Sequence, residues 1–122
     1  MIEITSIHRY KLAETATPSE FYDAVAEAVD RGLFEQISGL VDYQILRGVK
    51  GERADEFAAV WMYESRKAWR DVWGPVDDPV PKTDYPEEWL VWEDELLEPI
   101  LAEDPDEIEY TSYEVITRSG EG

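Results

Sequence analysis

The stretch that decides the fold is residues 56–69, EFAAVWMYESRKAW. Its first nine residues are apolar at both odd and even positions, which predicts a strand with both faces buried. Ser65 then fits the N-cap position of a short helix over residues 66–73, whose inner stripe holds Ala68, Trp69, Val72 and Trp73. A doubly apolar strand that runs straight into an amphipathic helix belongs at the centre of a sheet covered by helices.

The segments on either side extend this pattern. Residues 17–20, TPSE, form a capping box with proline at the first helical position, and the helix they begin is expected to end near Gly39. A proline-rich irregular loop is expected over 75–86, followed by a longer helix that Pro99 kinks or ends. The remaining strands are predicted, from alternation and β-branched or aromatic content, at residues 2–12, 41–49 and 108–117.

The element order β-α-β-β-α-α-β predicts an α+β, ferredoxin-like fold with a four-stranded antiparallel sheet in the order 4-1-3-2. Residues 1–118 are expected to form this single domain, and 119–122 a frayed tail. Helices on one side cover only one face of the sheet. The other face would expose a large apolar patch, so we expect two copies to pack sheet to sheet as a homodimer.

Charge is the most unusual feature of the composition. The 122 residues carry a formal charge of -18, and residues 81–122 hold fourteen acids against Lys82 and Arg118. We interpret this as the solvated surface of a protein adapted to high salt. The alternative interpretation is a cation site or a nucleic-acid mimic, but no D-x-D-x-D-G calcium loop occurs. Such a surface repels phosphate backbones, so no nucleic-acid partner is predicted.

Other function classes are excluded by what the sequence lacks. There is no cysteine and only one histidine, so neither a thiolate nucleophile nor a metal site is predicted. No phosphate-binding glycine loop or nucleophile elbow is present, and no cofactor is expected. No apolar run is long enough to span a membrane and no secretory signal is visible, so we expect a cytoplasmic protein without a membrane partner.

His8 and the aromatic residues are the side chains that could carry chemistry. His8 lies in the apolar row of the first strand, where it is either a general base or haem ligand in the cleft, or a core imidazole with a satisfied hydrogen bond. Trp61, Trp69 and Trp73 could line a pocket for a flat ligand, with Tyr63 or Tyr43 as proton donor. The competing interpretation is that these rings only build the core and the dimer interface.

Residues 59–69, AVWMYESRKAW, resemble the junction between the third strand and the second helix in dimeric α/β-barrel proteins of the antibiotic-biosynthesis-monooxygenase-like and stress-responsive types. The resemblance implies the same dimeric fold. It also implies a cleft in which, in the enzyme branch, phenolic rings are oxidised without metal or flavin. By this resemblance His8 and Tyr63 are candidate catalytic residues. Candidate substrate-binding residues are Tyr43, Arg47, Trp61, Trp69 and Trp73.

Two functions follow as alternatives. The first is a homodimer that binds a small apolar or aromatic organic molecule between sheet and helices and acts as a cofactor-independent monooxygenase or cyclase. The second is a non-catalytic binding or structural module. A cavity of about 300 Å³ or more beside His8 or a tyrosine hydroxyl would favour the enzyme.

Overall fold

A computed structural model describes residues 2–117 and 119 of the chain. Four antiparallel strands form one sheet in the order β2-β3-β1-β4, which confirms the predicted topology. Apart from Ser119, the predicted tail at 119–122 lies outside the described residues. The strands are β1 (Ile4–Tyr10), β2 (Leu40–Arg47), β3 (Phe57–Tyr63) and β4 (Glu109–Glu114).

The strand register sorts the side chains onto two faces. His8 of β1 pairs with Ala59 of β3, and Ile7 pairs with Val60. Side chains of residues that pair across a ladder point to the same face, so His8 lies with the odd-numbered residues of β3. Those odd-numbered residues are buried, whereas Val60 and the other even-numbered ones are only half-buried. The prediction that β3 has both faces buried is therefore wrong for the single chain.

The first helix, α1 (Pro18–Asp30), begins as predicted. Thr17 caps it, because the Glu20 backbone N–H donates to the Thr17 hydroxyl oxygen over 3.4 Å. In return the Thr17 backbone N–H donates to the Glu20 carboxylate over 3.1 Å. Both halves of the capping box are thus formed, and two of the otherwise unpaired amides at the helix start are satisfied.

The end of α1 differs from the prediction. The helix ends at Asp30, nine residues before Gly39, because Gly32 adopts a φ of +63°. The Leu33 backbone N–H donates to the Ala28 carbonyl over 3.1 Å, which closes the chain in a Schellman motif. A short 3₁₀ turn over Phe34–Gln36 then leads into β2. The apolar residues after Gly32 are buried by this turn and not by a continued helix.

The second helix, α2 (Arg66–Trp73), has its predicted bounds. The Ala68 backbone N–H donates to the Ser65 hydroxyl oxygen over 3.0 Å, and Gly74 ends the helix with a φ of +84°. The loop that follows contains a 3₁₀ turn at Lys82–Asp84. The Lys82 ammonium donates to Asp94 and to Asp106, each over 3.0 Å, and so ties this loop to two later segments.

The third helical segment is less regular than predicted. Only α3 (Glu87–Leu90) is α-helical; the chain continues as a π-helical segment over Val91–Leu97 and a 3₁₀ turn over Glu98–Ile100, which contains Pro99. The wider π turn changes which side chains face inward. As a result Trp92 and the adjacent Glu93 are both buried, although the α-helical pattern placed the acids on the solvent side.

In the described ranges, 2–117 and 119, one face of the sheet carries no helix. Ile7, Val60 and Met62 are half-buried there, and Leu46 and Tyr113 on the outer strands are exposed. The opposite face packs against the helices through a continuous apolar core. Among residues 2–117 and 119, no helix has the length and apolar character needed to cross a membrane.

Candidate functional site

Trp61 of β3 is the centre of an aromatic cluster between the sheet and the helical layer. Its side chain is completely buried. Its ring centroid lies 5.0 Å from those of Phe34 and Trp89 and 5.9 Å from that of Tyr43. Trp92 is also completely buried, with its ring 6.3 Å from that of Trp61. The predicted residues Trp61 and Tyr43 are thus brought together, in contact with rings from the third helical segment.

His8 belongs to the same cluster. Its ring lies edge-on to Trp61 at 6.1 Å, to Trp89 at 5.7 Å and to Tyr110 at 5.5 Å. The side chain as a whole is half-buried, but Nδ1 is enclosed and has no hydrogen-bond partner among the described residues. Burial lowers the pKa of His8 to about 4, so the imidazole is neutral at pH 7. The strand register turns His8 towards the helices, and its neutral ring can accept a hydrogen bond there.

Three further buried polar atoms in this cluster have no hydrogen-bond partner within the described chain: the Tyr10 hydroxyl and the indole nitrogens of Trp61 and Trp92. The Tyr10 and Trp92 rings are 6.4 Å apart, so all of these atoms lie in one connected region. Burial raises the pKa of Tyr10 strongly, and hydrogen bonding from the Trp92 and Trp61 indoles acts in the opposite direction, so the three groups lie near one another without meeting hydrogen-bond geometry. An unpaired buried polar group costs about 1–3 kcal/mol, so a set of four requires a specific explanation.

Glu93 supplies an unusual carboxyl group beside this cluster. The π-helical turn buries it to 5% exposure. Burial raises the pKa of Glu93 to about 8, and the nearby charges of Asp106 and Asp94 act in the same direction. The Trp89 indole and the Lys82 ammonium oppose this shift. At neutral pH Glu93 is therefore mostly protonated and can donate a proton, as catalytic carboxylic acids do.

Tyr63 and Trp73 form a second group, linked to the first through Trp89. The Trp73 indole N–H donates to the Tyr63 hydroxyl oxygen over 3.0 Å, and the Trp73 ring lies 5.3 Å from that of Trp89. Burial raises the pKa of Tyr63, with the Trp73 hydrogen bond acting against it. Trp69 is partly buried against the same core. Tyr63, the predicted proton donor, thus lies at the edge of the aromatic cluster with its oxygen already hydrogen-bonded.

Arg47 lies apart from Trp61 and Tyr63. Its guanidinium donates to the Tyr22 hydroxyl over 2.9 Å and to Asp55 over 3.3 Å, and it lies 5.8 Å from the centre of the Phe57 ring. Arg47 therefore belongs to the end of the sheet beneath α1. The structure does not bring it together with the aromatic residues with which it was grouped in the prediction.

Two surface grooves accompany these groups, and neither is lined by His8. One, of about 290 Å³, is apolar and lies between α1 and the β2 edge of the sheet, with Arg47 at its rim. The other, of about 200 Å³, is lined by charged residues that include Arg9, Lys11 and Arg53. Across residues 2–117 and 119, no three His, Asp or Glu side chains cluster closely enough to hold a metal ion.

Sequence reasoning missed Glu93 and Tyr10. Glu93 lies within a run of acids on what reads as a solvent face, and only the π-helical turn carries it inward. Tyr10 lies in the same apolar row of the first strand as His8, and this row is the feature of the sequence that indicates a place for Tyr10 beside His8. The contacts of Trp89 with His8 and of Trp92 with Tyr10 depend on how the third helical segment crosses the sheet.

Comparison with solved structures gives the fold. SnoaB, a cofactor-independent oxygenase from Streptomyces nogalater, matches 99% of this chain and 100% of its own at 15% identity, with a TM-score of 0.63. A dabb family protein from Mesorhizobium loti matches 96% of this chain and 100% of its own at 10% identity, also with a TM-score of 0.63.

A dimeric ferredoxin-like protein of unknown function from Thermobifida fusca matches 93% of this chain and 92% of its own at 17% identity, with a TM-score of 0.59. No family model and no curated protein matches the chain. These likenesses confirm the ferredoxin-like α/β-barrel fold that the sequence predicted, and at such identities they establish the fold alone.

Proposed function

We propose that this protein binds a small aromatic molecule with a phenolic hydroxyl between its sheet and its third helical segment, and oxidises that molecule with O₂ without a cofactor. One observation carries the proposal. Four buried polar atoms that make no well-formed hydrogen bond, from His8, Tyr10, Trp61 and Trp92, lie in one aromatic cluster. We call these four residues the core polar cluster. A ligand that supplies the missing hydrogen bonds would account for all four atoms together.

The chemistry of the core polar cluster favours a neutral phenol over a charged ligand. The aromatic walls offer stacking surface, and the indole N–H groups can donate to a phenolic oxygen. His8 is neutral at pH 7, because its pKa is about 4, and its unpaired Nδ1 can accept a hydrogen bond from the phenolic hydroxyl. Within the part of the chain that the structure describes, no Lys or Arg belongs to the buried core, so a carboxylate would enter this site at a large desolvation cost.

The proposed reaction converts a phenol to a quinone. The electron-rich phenol transfers an electron to O₂, and His8 takes the hydroxyl proton as the oxidised ring makes that hydroxyl strongly acidic. One oxygen atom bonds to a ring carbon that loses its hydrogen, and the other leaves as water, so that naphthol and O₂ give naphthoquinone and H₂O. Glu93, protonated at neutral pH because its pKa is about 8, is placed to supply a proton to the reduced oxygen. SnoaB, which shares the fold, is named as a cofactor-independent oxygenase.

Ligand entry would require the third helical segment to move. Trp61 and Trp92 are completely buried, so the rings must separate before a ligand can lie between them. The π-helical segment over Val91–Leu97 carries Trp92 and Glu93, and π-helical turns occur frequently at functional sites. The Lys82 contact with Asp94 is a polar tie that such a movement would break.

The same proposal includes a homodimer. The helix-free face of the sheet presents Ile7, Val60 and Met62, and a second copy packed on this face would complete their burial. Proteins of the same fold from Thermobifida fusca and Bacteroides fragilis are described as dimeric. The ligand site lies on the opposite, helix-covered face, so dimer formation and ligand binding are separable properties of the chain.

The experiment measures O₂ consumption and quinone absorbance with naphthol under metal-free conditions in concentrated KCl. We expect turnover by the unaltered chain and a decrease of about 100-fold in His8→Phe, the usual size of a lost general base. Tyr113→Phe, a change on the exposed helix-free face, serves as the matched control and should keep full activity. If His8→Phe consumed O₂ at the rate of the control, the proposed mechanism would be wrong.

The second candidate function, a non-catalytic module, is favoured by one observation: Trp61 and Trp92 have no exposed surface at all. A core that never opens would neither bind naphthol nor consume O₂. Under that function, naphthol would leave the tryptophan fluorescence of the chain unchanged up to its solubility limit. Saturable quenching of this fluorescence would instead support the ligand site in the core polar cluster.

A further inference from the structure

The groove between α1 and β2 has the composition of a binding site separate from the core polar cluster. Its volume is about 290 Å³, and its walls are largely apolar. The apolar walls are contributed by α1 and by β2 and β3, namely Phe21, Val25, Ala26, Ile45, Leu46 and Phe57. Concave apolar surfaces of about this size with a few convergent polar groups are typical of small-molecule sites.

The polar groups converge at one end of this groove. Arg47 and Tyr22 both line it, and the Arg47 guanidinium donates to the Tyr22 hydroxyl over 2.9 Å. Because the tyrosine oxygen accepts this bond, its own O–H remains available as a donor. The groove therefore ends in a guanidinium and a hydroxyl donor side by side, which matches the two oxygens of a carboxylate.

The competing carboxylate, Asp55, is weakly held. It lies 3.3 Å from the Arg47 guanidinium, and its side chain is 83% exposed. Exposed ion pairs contribute little to stability, so a ligand carboxylate that also buries an apolar body can displace Asp55. The Arg47 guanidinium itself is positioned over the Phe57 ring, at 5.8 Å from the ring centre, next to the apolar wall.

We infer that this groove binds a small aromatic carboxylate, with its ring against Phe57 and Ile45 and its carboxylate on Arg47 and Tyr22. Charge complementarity favours this occupant: among residues 2–117 and 119, Arg47 is the only cation that lines the groove, and no acid lines it. The inference does not depend on oxidation in the core, because the two sites share no residue. They also differ in ligand charge, since the core suits a neutral phenol and the groove an anion.

The test is isothermal titration calorimetry of naphthoate into the full chain in concentrated KCl. We expect one saturable site per chain that Arg47→Gln weakens by at least about tenfold, the loss expected of a charge-assisted bidentate contact. Arg53→Gln is the matched control, since Arg53 is also exposed and pairs with Glu56. Naphthalenemethanol, which lacks the charge, should bind at least about tenfold more weakly and should not respond to Arg47→Gln.

A second pair of variants tests the position of the site without altering Arg47. Ala26→Trp fills the groove from an exposed position of α1 and should abolish naphthoate binding, whereas Glu27→Trp, next to it but outside the groove, should not. His8→Phe should leave naphthoate binding unchanged. The inference is overturned if naphthoate does not bind the unaltered chain, if Arg47→Gln and Ala26→Trp bind it normally, or if His8→Phe abolishes its binding.

Discussion

The His8 ring packs edge-on against Trp61 of the neighbouring strand, with ring centroids 6.1 Å apart. The His8 Nδ1 has no hydrogen-bond partner among the described residues. The strand register allows this arrangement, because the residue directly opposite His8 is the small, fully buried Ala59. A larger residue at position 59 would occupy the space that the imidazole fills. The relationship between these two rings therefore defines the site proposed for the phenol.

The first prediction concerns His8 and acid stability. The folded-state pKa of His8, about 4, lies below the ordinary value of 6.5. The unfolded chain therefore binds this proton more tightly than the folded chain. The contribution of neutral His8 to the free energy of unfolding is fully present above pH 6.5 and is lost as the pH falls towards 4. His8→Phe removes the group whose protonation destabilises the folded chain at acid pH, and it also removes the unpaired nitrogen. The difference in urea midpoint between pH 7 and pH 4.5 should be smaller in His8→Phe than in the unaltered chain. An unchanged difference would contradict the burial of the neutral imidazole.

The second prediction concerns Glu93 and alkaline stability. Its folded-state pKa of about 8 lies above the ordinary value of 4.5, so the folded chain holds this proton more tightly than the unfolded chain. The resulting stability is fully present below pH 4.5 and is lost as the pH rises through 8. Glu93→Gln should therefore be more stable than the unaltered chain at pH 9 and should unfold at a higher temperature. Glu95→Gln, on an exposed side chain of the same segment, provides the control.

The third prediction concerns the bond between Trp73 and Tyr63. Tyr63→Phe leaves the Trp73 indole N–H without its acceptor and should lower the free energy of unfolding by about 1–2 kcal/mol, as measured by urea titration. When Tyr63→Phe is made in a chain that already carries Trp73→Phe, it should lower the free energy of unfolding by less, because the indole donor has already been removed. Equal costs in both backgrounds of this double-mutant cycle would show that the hydrogen bond does not contribute.

The fourth prediction concerns the homodimer. Val60 lies on the helix-free face of the central strand β3, so Val60→Lys would place a charge in the proposed interface. Sedimentation in concentrated KCl should give twice the chain mass of 14.1 kDa for the unaltered protein and the single-chain mass for Val60→Lys. Val49→Lys, at a valine that is 91% exposed, should remain dimeric. A single-chain mass for the unaltered protein would rule out the dimer.

Much of the fold was predictable because its signals are local. The Thr17 capping box and the Ser65 cap each fix a helix start within a few residues, and the alternation in residues 2–12 identifies a central strand. The end of α1 was placed too late because the apolar spacing continues past Gly32, and only the positive φ of that glycine ends the helix. Gly39 also has a positive φ, of +80°, so the spacing alone does not reveal which of the two glycines ends the helix.

The candidate site was less predictable, since it depends on how distant elements cross. His8, Tyr43 and Trp61, which residue type singles out, lie in one aromatic cluster. Arg47 was grouped with them by type, but its strand position carries it to the far end of the sheet beneath α1. The burial of Glu93 follows from a π-helical turn, and an α-helical periodicity analysis has no signal for that turn.

The most direct test of the proposed ligand site follows the five tryptophan indole N–H signals by NMR while naphthol is added. Each signal is assigned by a single Trp→Phe replacement. The account predicts that the signals of Trp61 and Trp92 shift most as their unpaired donors acquire an acceptor, while the signal of Trp69 stays in place. If naphthol at its solubility limit left the Trp61 and Trp92 signals unmoved, the ligand site proposed in the core polar cluster would be contradicted.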